Sequence, residues 1–430
     1  MSGKAFQVGV IGFGTIGTGV VKILQKDAAI LAERAGRPIV LKTVADVAPQ
    51  KKEGVDYTAF TLVNDAMTLI EDPEIDLVVE LVGGVTHAKR FIEAALKNKK
   101  HVVTANKELI AKHGKALIAL AREMEVNLFY EASSGGGIPI INALTSSLAA
   151  NPYRKIYGIL NGTTNYILSK MTSEGAEFEE VLKEAQALGY AEADPSSDVD
   201  GHDVAYKLTI LSSIAFNCYF ENADVFREGI RNISFRDIAV AKQHGYVIKM
   251  LAIGIAREGD TVELRVHPVM LKSDHPLASV NGSFNAVYVE GENVGETMFY
   301  GRGAGELPTA SAVLGDVIAI VRSVDLLGSS PTLRFGGDQR RVLPMGEVES
   351  KYYLRISAKD HPGVLAAVSK VFGDNDVSIT TVQQTDPVGD DAEIVIMTHV
   401  VKESQMQRAL ESIGALASVN RVCSLIRTGI

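Results

Sequence analysis

Apolar and polar positions alternate in short blocks over the first 140 or so residues, strand-like runs giving way to helix-like ones. Residues 6–11, Phe-Gln-Val-Gly-Val-Ile, have the pattern of a short buried strand, residues 18–34 follow a helical period, and residues 39–45 read as a second strand. Residues 76–81, 101–104 and 127–131 continue the series as strands, with helices over 86–98 and after Thr104. Such alternation predicts a doubly wound, parallel α/β sheet. Ligands in that architecture bind beyond the carboxyl ends of the strands.

The pattern changes further along. Residues 136–300 mix strands, such as 155–160 and 263–269, with long helices, which predicts an α+β domain. Pro308 suits a helix start, and residues 309–321 read as a mainly apolar helix. Ser329-Ser330-Pro331 and the polar run 336–341 mark a linker over 329–349. Beyond it, strands at 352–357, 377–384, 392–400 and 422–427 with helices at 363–372 and 403–413 give a ferredoxin-like βαββαβ order over 350–430.

Composition narrows the partners. A chain of 430 residues with 46% hydrophobic content supports two to three domains with sizeable cores. The net charge of −9 argues against nucleic acid or an anionic membrane as a general partner. No apolar run is expected to reach membrane-spanning length, and because the start leads at once into a strand, no signal peptide is expected. Cys218 and Cys423 lie far apart in mostly apolar surroundings, as unpaired thiols of a reducing compartment do, so a cytoplasmic location is expected.

The first strand runs without a break into Gly12-Phe13-Gly14-Thr15-Ile16-Gly17 and a helix. A glycine triplet alone is a weak signal, but strand before and helix after is the context in which helix-start amides face a pyrophosphate. Asp46, at the end of the second strand, stands where an acid would meet the adenosine ribose and favour NAD. Lys51 and Lys52 follow closely and could reverse that preference, so NAD and NADP both stay open. Two further features fall at strand ends: Gly83-Gly84, and Thr104-Ala105-Asn106-Lys107. Three glycines in the run 132–139, Ala-Ser-Ser-Gly-Gly-Gly-Ile-Pro, free the backbone for a close approach or for a hinge between domains.

The densest chemistry lies in residues 185–207, where Glu192, Asp194, Asp198, Asp200 and Asp203 surround a proline turn and the run closes on Lys207. Asp203 and Lys207 sit four apart, a spacing that also suits a plain helical ion pair. Carboxylates converging on an otherwise apolar helix suggest a pocket for a cation such as an amine.

These residues resemble the homoserine dehydrogenases that carry a C-terminal ACT domain. The likeness covers nearly the whole chain and is most specific at Ala185, Gly189-Tyr190-Ala191, Asp194-Pro195, Asp198-Val199, Gly201, Asp203 and Lys207. It is supported by GFGTIG, TANKELI, EASSGGGIPI, ILNGTTNYIL and GRGAGELPTA. The resemblance implies NAD(P)-dependent interconversion of L-homoserine and L-aspartate 4-semialdehyde on the way to threonine, methionine and isoleucine. It implies Lys207 as proton donor, Asp203 assisting at the substrate, Glu192 holding the substrate amine, and Lys107 beside nicotinamide and substrate. Around the cofactor it implies Gly12, Phe13, Gly14, Thr15, Ile16, Gly17 and Asp46, with Gly303 closing over it. It further implies a sodium ion against Glu131 and the carbonyls of Ser134, Gly136 and Ile138.

The same likeness suggests how the domains divide: a Rossmann domain over 1–135 with 301–328 packing back on it, a substrate and dimerisation domain over 136–300, and a regulatory ACT domain over 350–430. A homodimer or homotetramer is implied, and the turn 360–364 with residues 375–379 resembles an amino-acid effector site, threonine being the natural candidate. A dimerisation module that binds nothing is the alternative for that domain. For the whole chain the alternative is an idle nucleotide-binding sensor, against which Lys107, Glu192, Asp203 and Lys207 all argue. Cys218 sits in an apolar stretch and Cys423 in the tail, so neither supplies the activated thiol that oxidation of an aldehyde to an acyl group needs.

Overall fold

The computed structural model describes residues 4–327, 340–384 and 390–430. Along the chain it begins β1 (Phe6–Ile11), α1 (Thr15–Lys26), α2 (Ala28–Ala35), β2 (Ile39–Ala45), β3 (Thr61–Val63) and α3 (Ala66–Glu71). There follow β4 (Leu77–Glu80), α4 (Thr86–Lys97), β5 (His101–Thr104), α5 (Lys107–Glu123) and β6 (Leu128–Phe129). These strands form one sheet in the order β3-β2-β1-β4-β5-β6, and every pairing in it is parallel. It is a Rossmann-type sheet, with the chain reversing its winding at β1 and β4, where such folds take dinucleotides.

Two departures from the sequence pattern have local causes. The helix expected over 18–34 is two helices, because Asp27 ends α1, its N–H bonded to the Ile23 carbonyl, and at once begins α2 by accepting from Leu31 N–H. The strand β3 and helix α3 carried no periodic signal, being three and six residues long. Asp65 starts α3 by accepting from Met67 N–H at 2.9 Å.

The middle of the chain holds α6 (Ile140–Asn142), β7 (Tyr153–Ile159), α7 (Gly162–Glu174), α8 (Phe178–Ala187), α9 (Ser196–Val199) and α10 (His202–Ala215). Then come β8 (Phe226–Arg227), α11 (Phe235–Gln243), β9 (Tyr246–Arg257), β10 (Thr261–Lys272), β11 (Phe284–Gly291), β12 (Gly295–Arg302) and α12 (Glu306–Leu327). The backbone gathers into two compact units, Met1–Ile156 with Tyr206–Ala223 and Asn285–Gln339, and Tyr157–Ala205 with Asp224–Phe284 and Arg340–Ile430. Most of the expected linker over 329–349 lies outside the described residues.

In the first unit, α12 completes the nucleotide-domain core. Ala310, Val313, Leu314, Val317, Ile320 and Val321 are buried in one cluster with Val8, Val10, Val20, Val21 and Leu24. By length and composition alone, residues Glu306–Val324 could cross a membrane. The expectation that no run reaches that length is therefore corrected; here the apolar surface of α12 is spent on β1 and α1 instead.

In the second unit, β9, β10, β18, β14, β16 and β15 lie side by side in that order. The last four belong to a C-terminal module of β13 (Arg341–Val342), β14 (Glu349–Lys359), α13 (Val364–Asp374), β15 (Ile379–Gln384), β16 (Asp391–Thr398), β17 (Val401–Lys402), α14 (Glu403–Gly414) and β18 (Val419–Thr428). Its four long strands are antiparallel, in the order expected of a βαββαβ unit. The module does not hang free, since β18 pairs with β10 and the Arg427 guanidinium reaches Glu403 (2.7 and 2.9 Å) and Glu228 (2.8 Å).

The second unit also buries an ammonium. Lys249 on β9 is 1% exposed and donates to the Asn165 and Asn281 side-chain oxygens, both at 3.1 Å, and to the Val280 carbonyl. All three acceptors are neutral, and burial pulls its pKa down to about 8. A free lysine titrates near 10.4, so between these values the unfolded chain holds the extra proton and stability rises with pH. Unfolding free energies from urea titrations are expected to climb from pH 8 to 10 by on the order of 1 kcal/mol per pH unit more in the parent than in Lys249→Met. Parallel pH profiles for the two proteins would count against this.

Candidate active site

The glycine turn forms as its sequence requires. Gly12 has φ +96°, a conformation that suits glycine, and a Cβ there would lie 2.7 Å from the Leu81 carbonyl oxygen. A Cβ on Gly17 would lie 2.0 Å from the Gly12 carbonyl oxygen, so α1 can start this close to β1 only with glycine at that position. α1 begins after Gly14 with no side-chain cap and no acidic residue in its first turn. Its leading amides and the positive end of its dipole are thus left for an anion.

A cleft of about 460 Å³ opens beside this turn. Gly12, Gly14, Asp46, Val82, Gly83 and His87 are among its walls. Asp46 does more than line it: its carboxylate accepts from Phe13 N–H at 2.7 Å and Ala48 N–H at 2.9 Å, tying the glycine turn to the end of β2. Phe13 itself is buried, its ring packed edge-on against the half-buried Tyr57 and Phe60, so it offers the turn its backbone rather than its ring. Thr15 is exposed, and Ile16 packs against the core. Bare glycines, uncapped amides and an acid at the end of β2 fit a dinucleotide.

Lys107 is the first residue of α5, which Asn106 starts by accepting from Leu109 N–H at 3.0 Å. A cation at a helix start gains nothing from the dipole, which makes a purely structural role a poor account of it. α10 carries Lys207, only 8% exposed. In the first unit α5 and the residues from Tyr206 onward are in contact: Tyr206 Oη lies 3.4 Å from Glu108 Oε1, and Tyr219 Oη donates to the Ala111 carbonyl at 3.1 Å. The neighbours of both lysines in sequence therefore touch.

Asp203, one turn before Lys207 on α10, is 3% exposed and belongs to the second unit. The five carboxylates of residues 185–207 do not converge as a group, which corrects that expectation. Asp194 caps Ser196 N–H (3.1 Å), Asp200 pairs with Arg231 (2.6 Å), and Glu192 is exposed. Only Asp198 and Asp203 meet, at the Asn161 side-chain amide, which donates to them at 2.7 and 2.9 Å. Asn161 was not singled out from sequence. Its signal was the Asn-Gly-Thr-Thr start of α7, where its Oδ1 caps Thr164 N–H at 2.8 Å.

The loop after β6 is also built around an acid. Glu131 is buried, and its two carboxylate oxygens accept from Ile141 N–H (2.7 Å) and Asn142 N–H (2.6 Å) at the start of α6. Burial pushes its carboxyl up to about 7, against the pull of those amides. Asp316 on α12 accepts from Glu131 N–H at 2.8 Å and is raised well above the usual carboxyl range by burial and by Glu131. The Ser133 and Ser134 hydroxyls are buried without a hydrogen bond among the described residues. Gly136 takes φ +57°, and a Cβ there would lie 2.2 Å from the Gly303 carbonyl oxygen. Gly303 in turn leaves no room beside Asn285, whose Nδ2 lies 2.0 Å from where a Cβ would stand.

Profiles of known families match three stretches: the homoserine dehydrogenase NAD binding domain over residues 12–131, homoserine dehydrogenase over 139–318, and the ACT domain over 352–418. The homoserine dehydrogenase of Bacillus subtilis is 42% identical over 431 residues, spanning 99% of this chain and 98% of that protein. The chain belongs to the homoserine dehydrogenase family. Among solved structures of the family, that from Thiobacillus denitrificans superposes with a TM-score of 0.94 at 41% identity, covering 99% of this chain and 98% of that one. A hyperthermophilic archaeal homoserine dehydrogenase, solved in complex with NADPH, matches 74% of this chain and 98% of its own at 28% identity and a TM-score of 0.63. Homoserine dehydrogenases are NAD(P)-dependent oxidoreductases, and the fold of this chain is theirs: a Rossmann sheet, a mixed-sheet substrate region and a C-terminal ACT domain.

Proposed function

We propose that this homoserine dehydrogenase works through Lys207 as proton donor and Lys107 as a second cation beside the reacting carbonyl. The nicotinamide cofactor, when bound, supplies the hydride for L-aspartate 4-semialdehyde and takes it back from L-homoserine. Negative charge grows on the carbonyl oxygen as the aldehyde is reduced, and a buried ammonium both stabilises it and gives it a proton. The observation that carries the reading is the contact of α5 with residues 206–219, which include the end of α10 that bears Lys207, in the unit that also holds the glycine turn.

Asp203, held by Asn161, would orient the substrate, and the exposed Glu192 would have to reach its amine. Gly12, Gly14, Thr15, Ile16 and Gly17 would hold the pyrophosphate, Asp46 the ribose, and Gly303 the closing edge of the cleft. The oxygen ligands that Glu131 and the carbonyls of Ser134, Gly136 and Ile138 would offer, with the buried Ser133 and Ser134 hydroxyls beside them, suit a hard ion such as Na+. Following absorbance at 340 nm with homoserine and each of NAD and NADP tests the reading and ranks the cofactors. No change with either would end it.

The division into 1–135 with 301–328, 136–300 and 350–430 belongs to the same reading, as do a homodimer or homotetramer and a cytoplasmic location. The two thiols, neither in a disulfide, support the last of these. The ACT domain is read as a threonine sensor at the turn 360–364, where Gly363 takes φ +93° to begin α13. Removing the domain would strip β10 of β18 and unpair Glu228, so the test uses the full chain. Calorimetric titration is expected to show threonine binding that Gly363→Val abolishes, Val being strained at positive φ. Heat of binding that survives the substitution would place threonine elsewhere.

A further inference from the structure

Behind the cofactor cleft the ends of β4 and β5 are closed by a ring of hydrogen bonds. Glu80, the last residue of β4 and fully buried, accepts from Val82 N–H on Oε1 and from the Thr104 hydroxyl on Oε2, both at 2.7 Å. Thr104, the last residue of β5 and equally buried, accepts in turn from Asn106 N–H at 3.0 Å. Asn106 then returns to the first loop, its Nδ2 donating to the Gly84 carbonyl at 2.7 Å and the Val82 carbonyl at 3.3 Å. The same side chain starts α5 through Leu109 N–H. Glu80, Val82, Gly84, Thr104 and Asn106 thus fix two strand-end loops to each other, and the next residue along the chain is Lys107.

An acid is an expensive way to fill this position. Burial pushes the Glu80 carboxyl up to about 7, and an apolar side chain at the end of a buried strand would carry no such penalty. What a carboxylate offers is two acceptors on one rigid group, in bonds stronger than neutral ones.

We infer that Glu80 is a positioning residue for the reaction, acting through Thr104 and Asn106 to set where α5 begins and so where Lys107 stands. The inference rests on the reading that Lys107 acts at the reacting carbonyl. Thr104→Val keeps volume and burial while removing both bonds made by the hydroxyl. Glu80→Gln keeps the shape but puts an amide donor where the Thr104 hydroxyl finds an acceptor, so the hydroxyl must turn and the charge-strengthened bonds become neutral ones. Each substitution is expected to lower kcat by about 10-fold or more, since small misplacements of a reacting group have effects up to about 10². KM for the cofactor in Thr104→Val is expected to stay within about 3-fold of the parent, because the glycine turn does not depend on that hydroxyl.

The deciding measurement combines each change with Lys107→Ala. If Glu80 and Thr104 work through Lys107, they cost nothing further once that lysine is gone, whereas general loosening of the fold multiplies with it. A Thr104→Val enzyme with parent kcat, or a double variant whose losses multiply, overturns the inference while leaving Lys107 its role. A Lys107→Ala enzyme with parent kcat removes the reading of Lys107 and the inference with it. Thr104→Val alone carries the test should Glu80→Gln fail to fold.

Discussion

Lys207→Ala is expected to lose about 10²–10⁴-fold in the reduction of L-aspartate 4-semialdehyde, the range typical of a removed acid or base. The side chain is 8% exposed on α10, where an alanine would fit without disturbing the helix. What goes is the proton for the incipient alkoxide together with the charge that favours it, and water reaching the gap replaces neither in a fixed position. The glycine turn and Asp46 belong to other elements, so cofactor binding followed by nicotinamide fluorescence is expected to stay within about 3-fold of the parent. Lys107 remains in this variant and gives part of the electrostatic stabilisation, which is why the upper end of the range is not exceeded. Single-turnover rates near those of the parent would show that another group donates the proton.

Gly17→Ala should produce the second large loss, in cofactor binding rather than in chemistry. Its Cβ would stand 2.0 Å from the Gly12 carbonyl oxygen, and Gly12 cannot retreat freely because the Leu81 carbonyl already limits it. The turn must open, and the amides at the start of α1 then leave the pyrophosphate position. A shift of about 1 Å there is expected to weaken cofactor binding by about 10²-fold, with a lower melting temperature. Gly14→Ala separates the two effects. A Cβ there meets nothing within 4 Å, so its melting temperature should match the parent while the methyl group intrudes on the bound cofactor. Parent-like affinity in both variants would remove the glycine turn as the cofactor site.

Much of the framework of the candidate site was legible because its signals are local. The first strand with its turn, the strands over 39–45 and 101–104, and the Asp203 to Lys207 turn of α10 all follow from patterns a few residues long. Phe13 shows where such reading stops. Its place in the fingerprint says that it neighbours the cofactor turn, but only the packing of Tyr57 and Phe60 decides that the ring faces the core. The carboxylates of residues 185–207 make the same point. Their density was visible, yet which of them share Asn161 depends on a helix start some forty residues earlier.

By itself the sequence determined most of the longer strands and helices, where backbone must be bare of side chains, and which acids and lysines lie one helical turn apart. These depend on steric and periodic rules that act within a few residues. Only the tertiary structure decided that α12 fills the nucleotide-domain core, that β18 joins β10, and that Glu80 closes a ring with Thr104 and Asn106. Each of these brings together groups far apart in sequence, and burial selects the partner: an apolar face must find another, and a buried polar atom must find a hydrogen bond, wherever along the chain it lies.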